Sequence, residues 1–269
     1  MATVRLAPGV ALVTVPDQGL AVRTPDGTFL RVNTGDVDET DLLAHLTTGH
    51  PVSGELAALA DAFEEAGYTT RTRASAPLDG RTVVVLGDPG LTGPLTRYVR
   101  DAGARVREAA LPDLDQALRD QDPARTAVVW CLDGPAPEGV WDEADQLPAR
   151  GTAFLRCHRE GAHAWLEPLA CAPGDVTSAH VRLRRLAATP AHRELAAYWA
   201  GHTTPDGGGH TEASAALTAA LLTGDLIAWA NGAPLPVRRR LRRLDVRDLT
   251  VTEHPVLPVP DVAPLDARP

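Results

Sequence analysis

The sequence predicts two domains in series, a small α+β module followed by a larger, doubly wound α/β domain of Rossmann-like type. Two observations support this prediction. Short strands followed by amphipathic helices occupy the first 72 residues, and after residue 80 apolar strands alternate with helical patterns in the order βαβαβ. A chain of 269 residues can bury a core in each domain. We therefore expect the first module at residues 1–72, a linker at 73–80 and the α/β domain at 81–269.

The first module is predicted from three short strands and two helical patterns. The strands are residues 9–15, 19–23 and 28–33, separated by turn sequences at 17–19 and 25–27. The helical patterns span 38–47 and 53–66, and the second carries Leu56, Leu59 and Phe63 on one face. A three-stranded sheet followed by short helices predicts a winged-helix-like module.

The larger domain is predicted from its apolar runs. Strands are expected at residues 81–86, 106–111, 126–132 and 153–157, and helices at 91–102, 113–119 and 138–146. Residues 163–172 follow as one or two strands, and helical patterns cover 178–200 and 212–230. The arginine-rich residues 238–243 precede a strand-like segment at 244–251. The strand at 126–132 is apolar almost throughout, which is typical of strands buried on both faces of a sheet.

Three glycines follow the first strand of the larger domain and open a helix, as they do in many phosphate-binding loops. They are Gly87, Gly90 and Gly93. Their spacing departs from the usual fingerprint, because Asp88 places a negative charge where phosphate should arrive and Pro89 removes an N–H donor. Glu108 is either a ribose ligand or a solvated side chain. We therefore expect a degenerate loop that binds no cofactor.

Charge and composition exclude several functions. The net charge is −9, which argues against nucleic acid as the main partner. All 26 basic residues are arginine, so no lysine is present for a P-loop or a Schiff base. Glu55, Asp61 and Glu64 would repel DNA from the second helix, which weakens the hypothesis of a winged-helix regulator. The arginine run at 238–243 has three interpretations, namely a solvated face, a set of internal salt bridges or a contact with a partner enzyme.

The cysteines indicate neither a disulfide framework nor a metal centre. Cys131, Cys157 and Cys171 contain no C-x-x-C pair, and Cys131 lies in an apolar strand. Cys157 and Cys171, with His158 and His163, are the atom types that zinc prefers, but their spacing matches no known zinc site. We expect a cytoplasmic protein without a metal site.

A three-stranded sheet with a helix beside it can bind an extended peptide as a fourth strand. The third predicted strand would supply the main-chain groups, and Arg31 would face acidic residues of the peptide. The candidate contacts are Phe29, Leu30, Arg31 and Val32 on this strand, with Leu59 and Phe63 as an apolar floor on the second helix.

Both halves of the chain resemble components of one biosynthetic system. Residues 6–71 resemble the PqqD-like recognition element that binds the leaders of ribosomally synthesised and post-translationally modified peptides (RiPPs). The matching segments are LAPGVALV, DGTFLRVN, TTGHPVSGELAAL and AFEEAGY. Residues 81–261 resemble the E1-like (ThiF-like) domain of the ocin-ThiF-like cyclodehydratase partner proteins of azoline and thiopeptide pathways. The segments that carry this resemblance are VVVLGDPGLTG, VVWCLD, LEPLACAPGDVTSAHVRLRR and VTEHPVLPVPD.

The resemblance implies a function and also shows where this chain departs from the family. In that family the recognition element binds the leader, and a YcaO enzyme uses ATP to cyclise Cys, Ser or Thr residues of the core peptide. The family's E1-like domain often holds zinc through two C-x-x-C pairs, but this chain has Ser178, Val181, Val262 and Leu265 at those positions. The resemblance therefore implies a partner protein without zinc or catalysis.

Three functional hypotheses follow. The first is a leader-binding partner of a YcaO cyclodehydratase, or of a dehydratase, in thiopeptide or related antibiotic biosynthesis. The second is an ATP-dependent E1-like adenylating enzyme. The third is a DNA-binding regulator. Because E1-like domains commonly pair, the resemblance also implies a homodimer through the α/β half.

Overall fold

The computed structural model of the chain describes residues 5–48, 52–70, 75–204 and 207–260. They belong to two compact units, residues 1–75 and 76–269.

The first unit consists of two small sheets and two helices. In chain order its described elements are β1 (Arg5–Leu6), β2 (Ala11–Val15), β3 (Gly19–Arg23), β4 (Phe29–Arg31), α1 (Glu39–Thr48), α2 (Glu55–Glu65) and β5 (Thr69–Thr70). β2, β3 and β4 form an antiparallel sheet in that order, and β1 pairs with β5. α2 begins after Gly54, whose φ is +64°.

One apolar cluster holds the first unit together. Leu20 and Val22 of β3 pack with Leu42 and Leu46 of α1 and with Phe63 of α2. Each of these five side chains is at most 5% exposed. Leu20 and Val22 are two positions apart in a strand and therefore point to the same face, which is the face that α1 and α2 cover.

The second unit is built on a seven-stranded mixed sheet. Its strands are β6 (Thr82–Gly87), β7 (Arg105–Glu108), β8 (Thr126–Leu132), β9 (Ala153–Glu160), β10 (His163–Leu166), β11 (Arg240–Asp245) and β12 (Val251–Pro255). Its helices are α3 (Pro89–Asp101), α4 (Leu114–Leu118), α5 (Ser178–Ala188), α6 (His192–Trp199), α7 (Glu212–Ala230) and α8 (Leu235–Arg238). The strand order is β12-β11-β10-β9-β8-β6-β7; β7, β6, β8 and β9 are parallel, and β9 to β12 are antiparallel.

Two apolar clusters cover the two faces of the parallel half of this sheet. Val83 and Val85 belong to the cluster that contains α3 and α7. Val84 and Leu86 belong to the other cluster, with Trp141. Alternate side chains of β6 therefore enter opposite cores, which explains why this strand is apolar along its length.

α7 is the one helix among the described residues that is long and apolar enough to cross a membrane, by length and composition alone. Half of its most apolar window is buried, and Ala215, Ala219, Leu222 and Leu226 belong to the larger core cluster. Core helices pass the same test, and α7 packs as one of them.

The structure differs from the predicted elements at several places in this unit. Leu78, which the sequence assigned to a linker, is fully buried, and its N–H donates to the carbonyl oxygen of Ala102 at 2.8 Å. The helix expected at 138–146 is replaced by turns and by a 3₁₀ segment over Ala144–Arg150, near the turn at Gly139 with its φ of +76°. The pattern at 178–200 divides into α5 and α6, because Thr189 is extended before Pro190.

The arginine run is itself strand β11 rather than a segment before a strand, and internal ion pairs neutralise part of it. Arg242 donates to both carboxylate oxygens of Asp225 on α7, at 2.7 and 2.8 Å, and Arg240 donates to Asp225 at 2.9 Å. Asp225 and Arg242 are only 4% and 5% exposed. Arg238 pairs with Asp175. Of the three interpretations, internal salt bridges therefore describe these three arginines.

We expect Asp225→Asn to destabilise the protein by about 3 kcal/mol or more, because it removes the buried carboxylate that pairs with the buried Arg242 guanidinium. Glu253→Gln is the matched control, since Glu253 accepts from the same guanidinium but its side chain is 54% exposed. Its cost should stay below about 1 kcal/mol. Urea unfolding of the two variants measures the difference, and equal costs would contradict this account of β11.

Candidate functional site

The predicted peptide-binding strand is an edge of the antiparallel sheet. β4 pairs with β3 on one side, and no described strand of the unit pairs with its other side. Phe29 is 60% exposed and Leu30 is 43% exposed, and Arg31 is exposed as well. Two adjacent apolar side chains therefore lie open on a sheet edge.

The hydrogen-bond register shows which main-chain groups of β4 are available. The Thr24 N–H donates to the Thr28 carbonyl oxygen, and the Val32 N–H donates to the Leu20 carbonyl oxygen, both at 2.9 Å. Hydrogen-bonded and non-hydrogen-bonded pairs alternate along antiparallel strands. The pairs Arg23–Phe29 and Ala21–Arg31 are therefore of the non-hydrogen-bonded type. Phe29 and Arg31 direct their N–H and C=O groups away from β3, toward the open edge.

The turn between β3 and β4 is fixed by one carboxylate. Asp26 accepts hydrogen bonds from the hydroxyls of Thr24 and Thr28 and from the Thr28 N–H. Hydrogen bonding, first from the Thr24 hydroxyl and then from the Thr28 backbone, lowers the pKa of Asp26. Arg31 donates to the side chain of Gln18. These contacts position β4 from both ends.

Three of the predicted contact residues belong to the core of the first unit. Phe63 is 5% exposed and packs edge-on against Tyr68, with ring centroids 6.0 Å apart. Val32 and Leu59 are partly buried against the same cluster. Phe63 is therefore a structural residue rather than an exposed floor for a ligand, and Phe29, Leu30 and Arg31 are the accessible part of the predicted set.

The glycine turn of the second unit is shaped by backbone packing. Gly87 has a φ of +111°, and a Cβ atom at this position would lie 1.8 Å from the carbonyl oxygen of Cys131. The next N–H, that of Asp88, donates to the same oxygen at 2.9 Å. Gly90 and Gly93 lie within α3 and meet nothing within 4 Å of a Cβ. Gly87 is therefore required by the approach of β6 to β8, without reference to phosphate.

Protein groups bridge the loops that follow β6 and β8. The Asp88 carboxylate accepts the N–H of Asp133 at 2.6 Å. The Asp133 carboxylate in turn accepts Arg159 Nε at 2.7 Å and the His210 N–H at 3.2 Å. Ligands of doubly wound sheets bind at the carboxyl ends of the strands, beside such loops. Here the carboxylates of Asp88 and Asp133 occupy that region. Burial lowers the pKa of His210, whose N–H contacts Asp133.

A cleft of about 620 Å³ remains beside this turn, between the ends of β6 and β7. Gly87, Pro89 and Thr92 line one side, and Glu108 and Asp113 line the other. The first turn of α3 offers few donors, because Pro89 has no N–H and the Leu91 N–H donates to the Asp88 carbonyl oxygen at 3.0 Å. The cleft has room for a small molecule but more acidic than basic groups near the helix start.

The cysteines and their histidine neighbours do not converge. Cys131 and Cys157 are buried partners in adjacent strands, and a hydrogen bond between the thiols together with burial raises the pKa of Cys157. His158 contacts the carboxylate of Glu160 at 3.0 Å. In the part of the chain that the structure describes, no three His, Cys, Asp or Glu residues are grouped to hold a metal ion.

The positions of the family's zinc thiolates have other environments here. Ser178 begins α5, and its hydroxyl donates to the carboxylate of Asp145 at 2.5 Å. Val181 is a core residue, 1% exposed. Val262 and Leu265 lie outside the described residues.

A line of buried charges on β9 has no counterpart among the sequence-based candidates. Arg156, fully buried, donates to Glu167 at 2.7 Å. Glu160 accepts hydrogen bonds from Arg185 and from the indole N–H of Trp199. Burial would raise the pKa of Glu160, but contacts with His158 and Arg185 outweigh it and hold that pKa well below its usual range. The sequence signal for these residues is the alternation of polar and apolar positions in β9, which indicates one charged face.

No protein-family model matches the chain, and no curated protein matches its sequence. Solved structures share its fold. The chain is similar to a heterocyclase in complex with substrate and cofactor (TM-score 0.65, 10% identity, 96% of this chain and 39% of that one). It is also similar to the heterocyclase TruD (0.66, 13%, 96% and 42%). A third similar chain belongs to the E. coli microcin synthetase McbBCD complex with pro-MccB17 bound (0.52, 13%, 97% and 98%).

These identities show a common fold and nothing finer. The chain spans about two fifths of the length of the two heterocyclases, at 39% and 42%. It matches the microcin synthetase chain over nearly its whole length, 98%.

We expect Gly87→Ala to cost about 3 kcal/mol or more, because the new Cβ would collide with the Cys131 carbonyl at a positive φ. Gly93→Ala, about one turn into the same helix, is the control and should be neutral or stabilising by about 0.5–1 kcal/mol. Thermal and urea unfolding measure both values. A stable Gly87→Ala protein would contradict the structural role of this glycine.

Proposed function

We propose that the protein captures the leader of a ribosomal precursor peptide by adding it as a strand to β4, and presents it to a separate YcaO-type cyclodehydratase. The product would be an azoline- or azole-containing peptide of the thiopeptide or a related class. In this proposal the first unit is a PqqD-like recognition element and the second is a non-catalytic, E1-like scaffold. The observation that carries the proposal is the open edge of β4.

A comparison of two sheet edges supports this choice of strand. β12 is the outer strand of the seven-stranded sheet. The Val256 N–H donates to the Arg239 carbonyl oxygen at 2.8 Å, so Pro255 turns its nitrogen outward. Proline has no N–H to offer an added strand, and this placement is a common protection of exposed edges. β4 carries no such block at Phe29 or Arg31.

The two faces of β4 would contact alternate side chains of a bound peptide. Leu30 lies opposite Val22 and shares its face, toward the helices, whereas Phe29 and Arg31 point to the other face. An added strand would therefore place one set of side chains beside Leu30 and the other beside Phe29 and Arg31. A peptide with apolar residues on both faces and acidic residues near Arg31 fits this arrangement.

The comparisons support the biosynthetic assignment. The similar chains belong to heterocyclases and to a microcin synthetase complex, and one of these structures contains a bound pro-peptide. This chain spans 39% and 42% of the heterocyclases, so it corresponds to one part of such an enzyme.

The bridge across the β6 and β8 loops supports a scaffold role for the second unit. The Asp88 carboxylate lies where a bound phosphate would lie, and it accepts a hydrogen bond from the protein's own Asp133 N–H. Asp133, which faces the same region, is engaged by Arg159. A triphosphate would meet two negative charges here, and Coulomb repulsion at short range disfavours it.

An ATP-dependent adenylating enzyme is the second candidate. The 620 Å³ cleft next to Gly87, with Glu108 at the end of β7, favours it, because this is where a doubly wound fold places an adenosine. Leader-dependent exchange of pyrophosphate into ATP by the isolated protein would establish this activity. Lack of exchange, together with leader binding, would favour the scaffold.

We expect the full chain to bind a fluorescein-labelled leader peptide, taken from the small precursor encoded beside its gene, with micromolar or lower Kd. Arg31→Pro should raise the Kd at least about tenfold more than Arg31→Ala, because the ring removes an outward N–H that alanine retains. Fluorescence polarisation measures both. Since this N–H makes no bond to β3, proline can be accommodated at the edge.

Thr14→Pro is the matched control for that experiment. Thr14 is exposed on β2, the opposite edge of the same sheet, and lies opposite Leu20, whose main-chain bond runs to β4. Its N–H therefore also points outward. Leader affinity should survive this substitution. A loss with Thr14→Pro and none with Arg31→Pro would move the binding site to β2 and contradict the proposal.

A further inference from the structure

A groove runs between the α5–α6 hairpin and the antiparallel edge of the second unit's sheet. It is a cavity of about 940 Å³, and Leu241, Arg243 and His254 line it from the sheet. We call this cavity the hairpin groove.

The floor of the hairpin groove is apolar and belongs to a small core cluster. Val181 of α5, Leu241 of β11 and Val256 are buried there, and Trp165 packs against them. Ala188 at the end of α5 and Leu195 of α6 extend the apolar lining. A cavity of this size with an apolar floor is typical of contact surfaces.

Arginines without acidic partners surround this floor. Within the described ranges, Arg243 forms no ion pair, and Arg184 donates only to the carbonyl oxygens of Leu257 and Pro258, each at 3.3 Å. Glu194 is the acidic residue of the lining, and Arg184, Arg185 and Arg243 are its arginines. The groove is therefore locally cationic on a chain whose net charge is −9.

Pro255 of the strand beside the groove presents no outward N–H, which disfavours an added strand at this position. We therefore expect an occupant to bind through side chains, with apolar groups on the floor and carboxylates facing the arginines.

We propose that the hairpin groove is the docking site for an acidic segment of the partner cyclodehydratase, which inserts apolar side chains between α5, α6 and β12. This rests on the proposed function, in which the cyclodehydratase is a separate protein. Arg184 and Arg243 outnumber Glu194 in the groove, so charge complementarity favours an acidic occupant. The apolar floor favours an occupant with apolar anchor residues.

Two substitutions test the groove, and each has a matched control. Arg243→Glu reverses an unpaired charge, and its control is Arg193→Glu, an exposed arginine of α6 outside the lining. Ala188→Trp fills the cavity from the end of α5, and its control is Ala187→Trp, the exposed neighbour that does not line it. All four proteins are full-length chains.

The first measurement uses a defined probe, a labelled twelve-residue synthetic peptide of Leu and Glu, beside the same peptide with Lys for Glu. We expect saturable binding of the Glu peptide, weakened at least about fivefold by Arg243→Glu and by Ala188→Trp but by neither control. No binding, equal binding by all variants, or equal binding of the Lys peptide would overturn the site.

The second measurement replaces the probe with the partner enzyme, immobilised for biolayer interferometry, and the same pattern is expected. If the Glu peptide follows the pattern and the partner enzyme does not, the assignment of the occupant is overturned. Fluorescence polarisation of the labelled leader with the Arg243→Glu protein distinguishes this proposal from the proposed function. If this variant binds the leader as the unmodified chain does, a failure of docking at the groove is separate from a failure of leader binding at β4.

Discussion

A strand at the edge of a sheet carries main-chain donors and acceptors that only solvent or another strand can satisfy. This constraint governs both units. In the first, the register of β4 turns the N–H and C=O groups of Phe29 and Arg31 outward, next to two exposed apolar side chains. In the second, Pro255 removes one outward N–H from the outer edge of β12. The proposed division between peptide capture at β4 and partner docking beside β12 follows from that difference.

Several buried charges of the second unit are paired within the unit. Asp225 holds Arg240 and Arg242, Asp133 holds Arg159, and Glu160 holds Arg185. Buried ion pairs of this kind contribute little net stability compared with apolar packing, but removing one partner is costly, so they fix a single arrangement. At the carboxyl ends of the strands, Asp88 and Asp133 are likewise hydrogen-bonded to other groups of the unit.

Sequence patterns predicted the strands and helices that are determined by their own local sequence. The strand at 126–132 and the helix at 212–230 have the predicted bounds, because a continuous apolar run and a helical period are each decided within one segment. The order of strands and helices through the parallel half was likewise readable from periodicity, and the mixed α/β content of the second unit is confirmed. The glycine at 87 also appeared in the sequence, but its reason, a contact with the Cys131 carbonyl, did not.

Features that depend on residues distant in the sequence could not be predicted in this way. An arginine-rich strand is understandable only once Asp225, fifteen positions before Arg240, is seen on the facing helix. Phe63 lay on the predicted apolar face of its helix, but the sequence could not say whether that face met a ligand or the core. The charged side chains of β9 needed partners on α5 and α6 to be accommodated.

The central claim is that the peptide binds through the main chain of β4, and amide hydrogen exchange tests it most directly. NMR-resolved exchange of the full chain, with and without the leader peptide, should show the Phe29 and Arg31 amides becoming protected, while that of Thr14 is unchanged. The Val32 amide is already bonded to Leu20 and should change little. Saturating leader that leaves the Phe29 and Arg31 amides as exchangeable as before would contradict strand addition at this edge.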